Sequence, residues 1–214
     1  MEKNLIVCLL FVASCISGFA QTDAKAKKWL DEVSAKYDAY KTIQSDFSFS
    51  VQQASAETQT EKGTLFLDKH KNQFHIVLPA QDIISDGKTT WSVLKEDQEV
   101  QVSEAADQGG SIGPTNLFTF YMKGFNYSSL ADETQGQNRL HVIELTPIDT
   151  KTNYAKIKLR INSKQHIHDV QITDKSGAQY RYTIHTLYVN HQIPAKNFTF
   201  NASDYPNYEV VDLR

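Results

Sequence analysis

Ile83-Ile84-Ser85-Asp86-Gly87-Lys88-Thr89-Thr90-Trp91 places two β-favouring runs around an Asp-Gly pair. Such a pair takes φ > 0 at both central positions of a type I′ turn. The twist of that turn matches the strands it joins, so a tight antiparallel hairpin is expected. Beyond the turn, Thr89, Trp91 and Val93 fall on one face, and Lys88, Thr90 and Ser92 on the other. One side of the hairpin is suited to be covered and the other to be wet.

The same two-residue period runs outward in both directions. Phe47, Phe49 and Val51 alternate with Asp46, Ser48 and Ser50, and Leu65 and Leu67 stand between Thr64 and Asp68. Phe74, Ile76 and Leu78 alternate with Gln73 and His75, and Val100 and Val102 follow the hairpin. Later come Ile143 and Leu145, then Ile157, Leu159 and Ile161 against Lys156, Lys158 and Arg160. Val170 and Ile172, then Tyr180, Tyr182 and Ile184, then Phe198 and Phe200 complete the series. Together these runs predict about eleven strands, mostly joined by short loops. No helical segments lie between them, which excludes parallel βαβ units; antiparallel strands with one solvated side are expected.

Two stretches depart from the pattern. From Ala24 to Tyr40, Trp29, Val33, Tyr37 and Tyr40 recur at helical spacing beside Leu30, with Asp23 as N-cap. From Glu104 to Gly124 a Gly-rich lead precedes Pro114 at a first helical position, and Leu117, Phe118, Tyr121 and Met122 form a stripe. Those residues fit a movable flap over an apolar surface as well as a plug fixed in a core. Two helices cannot cover so many one-sided strands. The sheet either doubles over as a sandwich or curls into an unclosed barrel with the helices as a lid, leaving a hollow. Periodicity does not separate the two.

The N-terminus reads as a leader. Lys3, an apolar run from Leu5 to Ile16, and Gly18-Phe19-Ala20 before Gln21 form a secretory signal peptide over residues 1–20. The run is shorter than the ~20 residues that span a bilayer. Residues 21–214 are then expected to fold as a single exported domain. Both cysteines, Cys8 and Cys15, lie in the leader, so no disulfide is expected. Val12-Ala13-Ser14-Cys15 also matches the site at which a bacterial cysteine is acylated, which would leave the chain lipid-anchored at Cys15. Ile16 and Phe19 favour ordinary cleavage.

With a formal net charge of −3 and no basic stripe, neither nucleic acid nor an anionic membrane surface is an expected partner. His166 and His168 share a strand face, with His185 and His191 as further candidates, but a zinc site needs three or four convergent ligands. No His-Glu-x-x-His, Gly-x-Ser-x-Gly or glycine-rich phosphate loop appears. No metal, no cofactor and no enzymatic activity are expected.

The hairpin stretch resembles the signature of the LolA family, periplasmic carriers of outer-membrane lipoproteins. Asp46-Phe47-Ser48-Phe49, Gly63-Thr64-Leu65 and Asn72-Gln73-Phe74 precede it in the family's order. Pro114-Thr115-Asn116-Leu117-Phe118, Leu145-Thr146-Pro147 and Asn197-Phe198-Thr199-Phe200 follow. The resemblance implies a mainly β fold, an unclosed antiparallel barrel of about eleven strands with a helical lid, whose hollow receives acyl chains. It also implies acylated lipoproteins or lipid as cargo, an inner-membrane ABC exporter as donor and an outer-membrane receptor as acceptor. The chain itself is expected to be a monomer. The hollow would be walled by Phe47, Phe49, Leu65, Leu67, Phe74, Ile76, Leu78, Trp91 and Val93, with Leu117 and Phe118 from the lid. The family's entrance phenylalanine falls on Phe74, and its next aromatic falls on Ile76. The arginine that bonds the lid in the family is absent, leaving Lys69, His70 and Lys71 as candidate latches. The same fold also serves outer-membrane lipoprotein receptors and carriers of other lipids or glycolipids. A structural sandwich without any ligand is the remaining class.

Overall fold

The computed structural model describes residues 23–53, 56–105 and 112–214. The expected leader, its cleavage point, Cys8, Cys15 and the Gly-rich lead at 106–111 lie outside the described residues. No helix among the described residues is long and apolar enough to cross a membrane.

The chain opens with helix α1 (Ala24–Asp38), started by Asp23, whose Oδ1 accepts from Lys25 N–H at 2.8 Å. Its other carboxylate oxygen accepts from Ser129 N–H at 2.9 Å, and its own N–H donates to Tyr127 O. These bonds hold the carboxyl down to about 2, the Ser129 hydrogen bonds being the main cause. One aspartate thus begins the helix and moors it to a strand more than a hundred residues later. Ala26, Leu30, Val33 and Tyr37 recur three or four apart and form the buried stripe.

The strands are β1 (Thr42–Gln52), β2 (Gln59–Asp68), β3 (Gln73–Val77), β4 (Gln81–Ser85), β5 (Thr89–Leu94), β6 (Glu99–Glu104) and β7 (Phe125–Ser129). After them come β8 (Glu133–Gln135), β9 (Asn138–Pro147), β10 (Tyr154–Asn162), β11 (Ile167–Asp174), β12 (Gln179–Ile184), β13 (Tyr188–Val189) and β14 (Glu209–Asp212). All belong to one sheet, ordered β14-β6-β5-β4-β3-β2-β1-β12-β11-β10-β9-β7, with β13 on β1 and β8 on β9. Its outermost strands, β14 and β7, do not pair, so the barrel is unclosed. The described strands form one continuous, unclosed sheet and not two separate ones, the arrangement of the unclosed barrel.

Several sequence expectations need correction. Among the described residues the sheet has fourteen strands rather than about eleven, because β7, β8, β13 and β14 carry too weak an alternation to stand out. Among the described residues every pairing is antiparallel except β14 on β6, which is parallel. Phe198 and Phe200 are not a strand: Pro194 leads into a 3-10 turn over Ala195–Phe198. The 114–122 segment is not an α-helix either. It is a run of turns ending in a 3-10 turn at Phe120–Met122, with Asn116 Oδ1 accepting from Gly113 N–H at 2.9 Å. A segment this short cannot repay helix nucleation in α form. The chain therefore has one α-helix, not two, among the described residues.

The β4–β5 hairpin forms, with its turn shifted by one residue. Asp86 N–H donates to Thr89 O at 3.2 Å, which makes Gly87-Lys88 the central pair rather than Asp86-Gly87. Only Gly87, at φ +92°, is left-handed, the pattern of a type II′ turn. Asp86 Oδ1 accepts from Lys88 and Thr89 N–H, both at 2.8 Å. A Cβ at Gly87 would stand 2.7 Å from Lys71 O, so the hairpin tip rests directly on the β2–β3 turn.

The register sorts side chains between two faces. Leu67 opposes Ile43 and Phe74, and Leu65 opposes Ser45 and Ile76; these share the face under α1 and the 114–122 segment. Trp91 opposes Ile84 and Val102, and Val93 opposes Val100; these share the outer face. There the C-terminal segment covers them, with Phe200 stacked between Trp91 at 6.1 Å and Tyr205 at 5.4 Å.

Candidate functional site

The inner face is apolar along most of the sheet. β1 supplies Ile43 and Phe47, β2 Leu65 and Leu67, β3 Ile76, and the far half Ile143, Leu145, Ile157, Leu159, Val170 and Ile172. Above them lie Leu30, Val33 and Tyr37 of α1, with Leu117, Phe118 and Tyr121 of the 114–122 segment, all buried. The cover is a single helix and a short irregular segment that fill the concavity with side chains. Phe49, Phe74, Leu78, Tyr154, Tyr180 and Tyr182 stay half-buried around them and mark where the apolar face continues past its cover.

At Gly63 the floor requires the absence of a side chain. A Cβ there would meet Leu78 Cδ2 and Phe47 Cζ, both at 2.7 Å, because those two close over β2. An open cavity of about 500 Å³ adjoins this point, between Phe47, Gly63, Leu78 and Pro79, with Lys62 and His185 at its polar margin.

Two smaller cavities flank the cover. One of about 180 Å³ lies between Tyr37, Ile43, Leu67 and Phe118 on its apolar side and Lys69, Asn72, Thr115 and Thr119 on its polar side. The other, about 280 Å³, opens between Phe120, Phe125, Pro147 and Tyr154. Both are smaller than the ~300–1,000 Å³ of pockets that enclose a drug-sized ligand.

The hollow is electrically quiet. Tyr37 and Tyr121 have their phenol pKa values raised by burial, and Tyr182 is pushed up to about 12 by burial and then by Tyr154, so all three stay neutral at physiological pH. Tyr37 OH accepts from Ile167 N–H at 3.2 Å. The hydroxyl of Tyr121 is buried without a partner among the described residues, and so is that of Thr115.

Of the residues expected from sequence, Phe47, Leu65, Leu67, Phe74, Ile76, Leu78, Leu117 and Phe118 meet in this region, with Phe49 farther along the same face. Trp91 and Val93 do not. The pleat carries them to the outer face beneath the C-terminal segment, and they take no part in the wall. Tyr37, Tyr121 and Thr115 line the region as well, though not among the residues expected there; for Tyr121 the aromatic stripe of 114–122 was the available signal.

Among the candidate latches, only Lys69 reaches α1. Its Nζ donates to Tyr37 O at 2.6 Å and lies 3.7 Å from Asp38. Lys71 pairs with Asp68 at 3.7 Å, and His70 is exposed with its N–H on the same carboxylate. Neither makes a hydrogen bond or ion pair to α1 or to the 114–122 segment among the described residues. Of the histidines, His166 bonds Tyr40 OH at 2.9 Å and His185 bonds Ser48 at 3.0 Å. Among the described residues no three His, Cys, Asp or Glu side chains gather where a metal ion could bind.

The family model described as "Outer membrane lipoprotein carrier protein LolA" matches residues 38–201. No curated protein matches the chain. Among solved structures, an uncharacterized conserved protein from Thermus thermophilus is similar at a TM-score of 0.57 and 10% identity, over 88% of this chain and 99% of that one. LprF from Mycobacterium bovis is similar at 0.51 and 10% identity, over 81% and 98%. At such identities the likeness is one of fold alone.

Proposed function

This chain belongs to the LolA family, the outer membrane lipoprotein carrier proteins, and from that premise we propose that it carries the acyl chains of lipoproteins across the periplasm. The observation that supports this most is the mismatch between the apolar inner face and its cover, one helix and a segment with no α-helix of its own. An acyl chain in water is disfavoured by ~0.8 kcal/mol per methylene that could be buried. A carrier must remove that cost without making release impossible.

In this reading, entering chains displace Leu117, Phe118 and Tyr121 and exchange one buried apolar surface for another. The surrounding burial is non-directional, so the difference between the loaded and empty states stays small. The cavities left under the closed cover are too small for a pair of chains, so loading requires the 114–122 segment to move outward. An inner-membrane exporter would supply the cargo, and an outer-membrane receptor would take it.

The experiment is release from spheroplasts. The purified chain should bring newly made lipoprotein into the medium as a soluble complex. Release no greater than with an unrelated periplasmic protein would reject the reading.

A further inference from the structure

The cavity of about 180 Å³ under the cover differs from the rest of the hollow in having a polar side. Its floor is Ile43, Leu67 and Phe118, continuous with the apolar wall. Facing that floor are Lys69, Asn72 and Thr115, and no carboxylate lines the cavity among the described residues. The groups on this side supply hydrogen-bond donors: an ammonium, a carboxamide N–H₂ and a hydroxyl. Lys69 spends one N–H on Tyr37 O and lies 3.7 Å from the Asp38 carboxylate, outside hydrogen-bond distance, so N–H groups remain for a ligand. The Thr115 hydroxyl is buried and unpartnered among the described residues. A buried hydroxyl without a partner is costly, and a methylene chain would leave it so.

We propose that this cavity, once the 114–122 segment has closed again over its cargo, is the subsite for the acyl carbonyl oxygen of the ligand, held by the Thr115 hydroxyl with Lys69 and Asn72 beside it. The inference rests on the acyl-carrier reading and adds to it where the polar end of the chain sits. A carbonyl oxygen accepts hydrogen bonds and never donates them, which matches this set of donors. The oxygen comes either from a glyceryl ester or from the carboxylate of a free fatty acid. Placing it here directs the methylenes along Leu67 and Ile43 toward Phe47. The β2–β3 turn that presents Lys69 and Asn72 is itself braced by the hairpin tip at Gly87. The hairpin thus supports the subsite without touching the ligand.

The test compares three probes by displacement of a fluorescent fatty acid: a dipalmitoylglyceryl-cysteine peptide, its dialkyl ether analogue without ester carbonyls, and palmitic acid. The wild-type chain should bind the ester about tenfold tighter than the ether, the worth of one good buried hydrogen bond. Thr115→Val should bring that ratio toward one, and Thr115→Ser, which restores the hydroxyl, should recover it. Palmitic acid losing affinity in Lys69→Met, with the ester unaffected, assigns the subsite to carboxylates; loss confined to the ester in Thr115→Val assigns it to esters. Equal binding of ester and ether by the wild type overturns the subsite and leaves the carrier standing. Failure to bind either lipopeptide removes the carrier reading and the subsite together.

Discussion

The ring of Phe118 stacks on that of Tyr37, with centroids 4.6 Å apart and planes inclined by 17°. This contact joins the 114–122 segment to α1, so the two pieces of the cover are held to each other as well as to the sheet. Stacked pairs contribute about 0.5–1.5 kcal/mol beyond their area. That is enough to favour closure and little enough to be exchanged for cargo.

Phe118→Ala should loosen the cover before it unfolds the protein. A buried Phe→Ala change costs about 3 kcal/mol or more when the whole domain depends on it. Here the segment can open by itself, so amide exchange over 114–122 should accelerate more than global unfolding does. Equal acceleration in β10 and β11 would show that the segment is part of the fixed core.

Gly63→Ala inserts a methyl at a point that Leu78 and Phe47 already approach to 2.7 Å and Val77 O to 2.9 Å. Overpacking of this kind costs about 1–3 kcal/mol, read as a lowered urea midpoint. Adding Phe47→Leu should recover part of the loss, because one of the colliding rings is gone. Additive effects of the two substitutions would contradict the contact.

Phe74 is half-buried at the start of β3, where a polar replacement can reach water. Phe74→Glu should therefore keep the melting midpoint within a few degrees of wild type while reducing lipoprotein release from spheroplasts several-fold. Undiminished release would remove Phe74 from the wall.

His75 lies on the outer face beside Phe66, with both ring nitrogens buried. Burial lowers its pKa from the ordinary 6.5; Asp82 opposes the shift and Lys95 adds to it. Above about pH 6.5 the ring is neutral in both the folded and unfolded chains and contributes nothing. Below it the unfolded chain takes up the proton more readily, so stability falls as the pH drops toward 5. His166 is shifted the same way, by burial and then by Lys36 and Lys164. His75→Phe should flatten the loss of urea midpoint between pH 7 and 5, and an unchanged slope would show that His75 is not its source.

Local chemistry sufficed for much of this architecture. The alternation around Leu65, Phe74 and Ile157 specified antiparallel strands with one covered side, because successive side chains must point to opposite faces. Asp23 marked the helix start because its carboxylate satisfies a free backbone N–H. What alternation cannot contain is which of two apolar faces meets the hollow. Trp91 and Val93 look no different from Leu65 and Leu67 in sequence, yet they lie outside, because the C-terminal segment returns to cover that face. Phe198 alternates as a strand residue would, yet it sits in a 3-10 turn packed behind β3 and β4. Each of these outcomes depends on contacts between distant parts of the chain, and such contacts exist only once the sheet has curled.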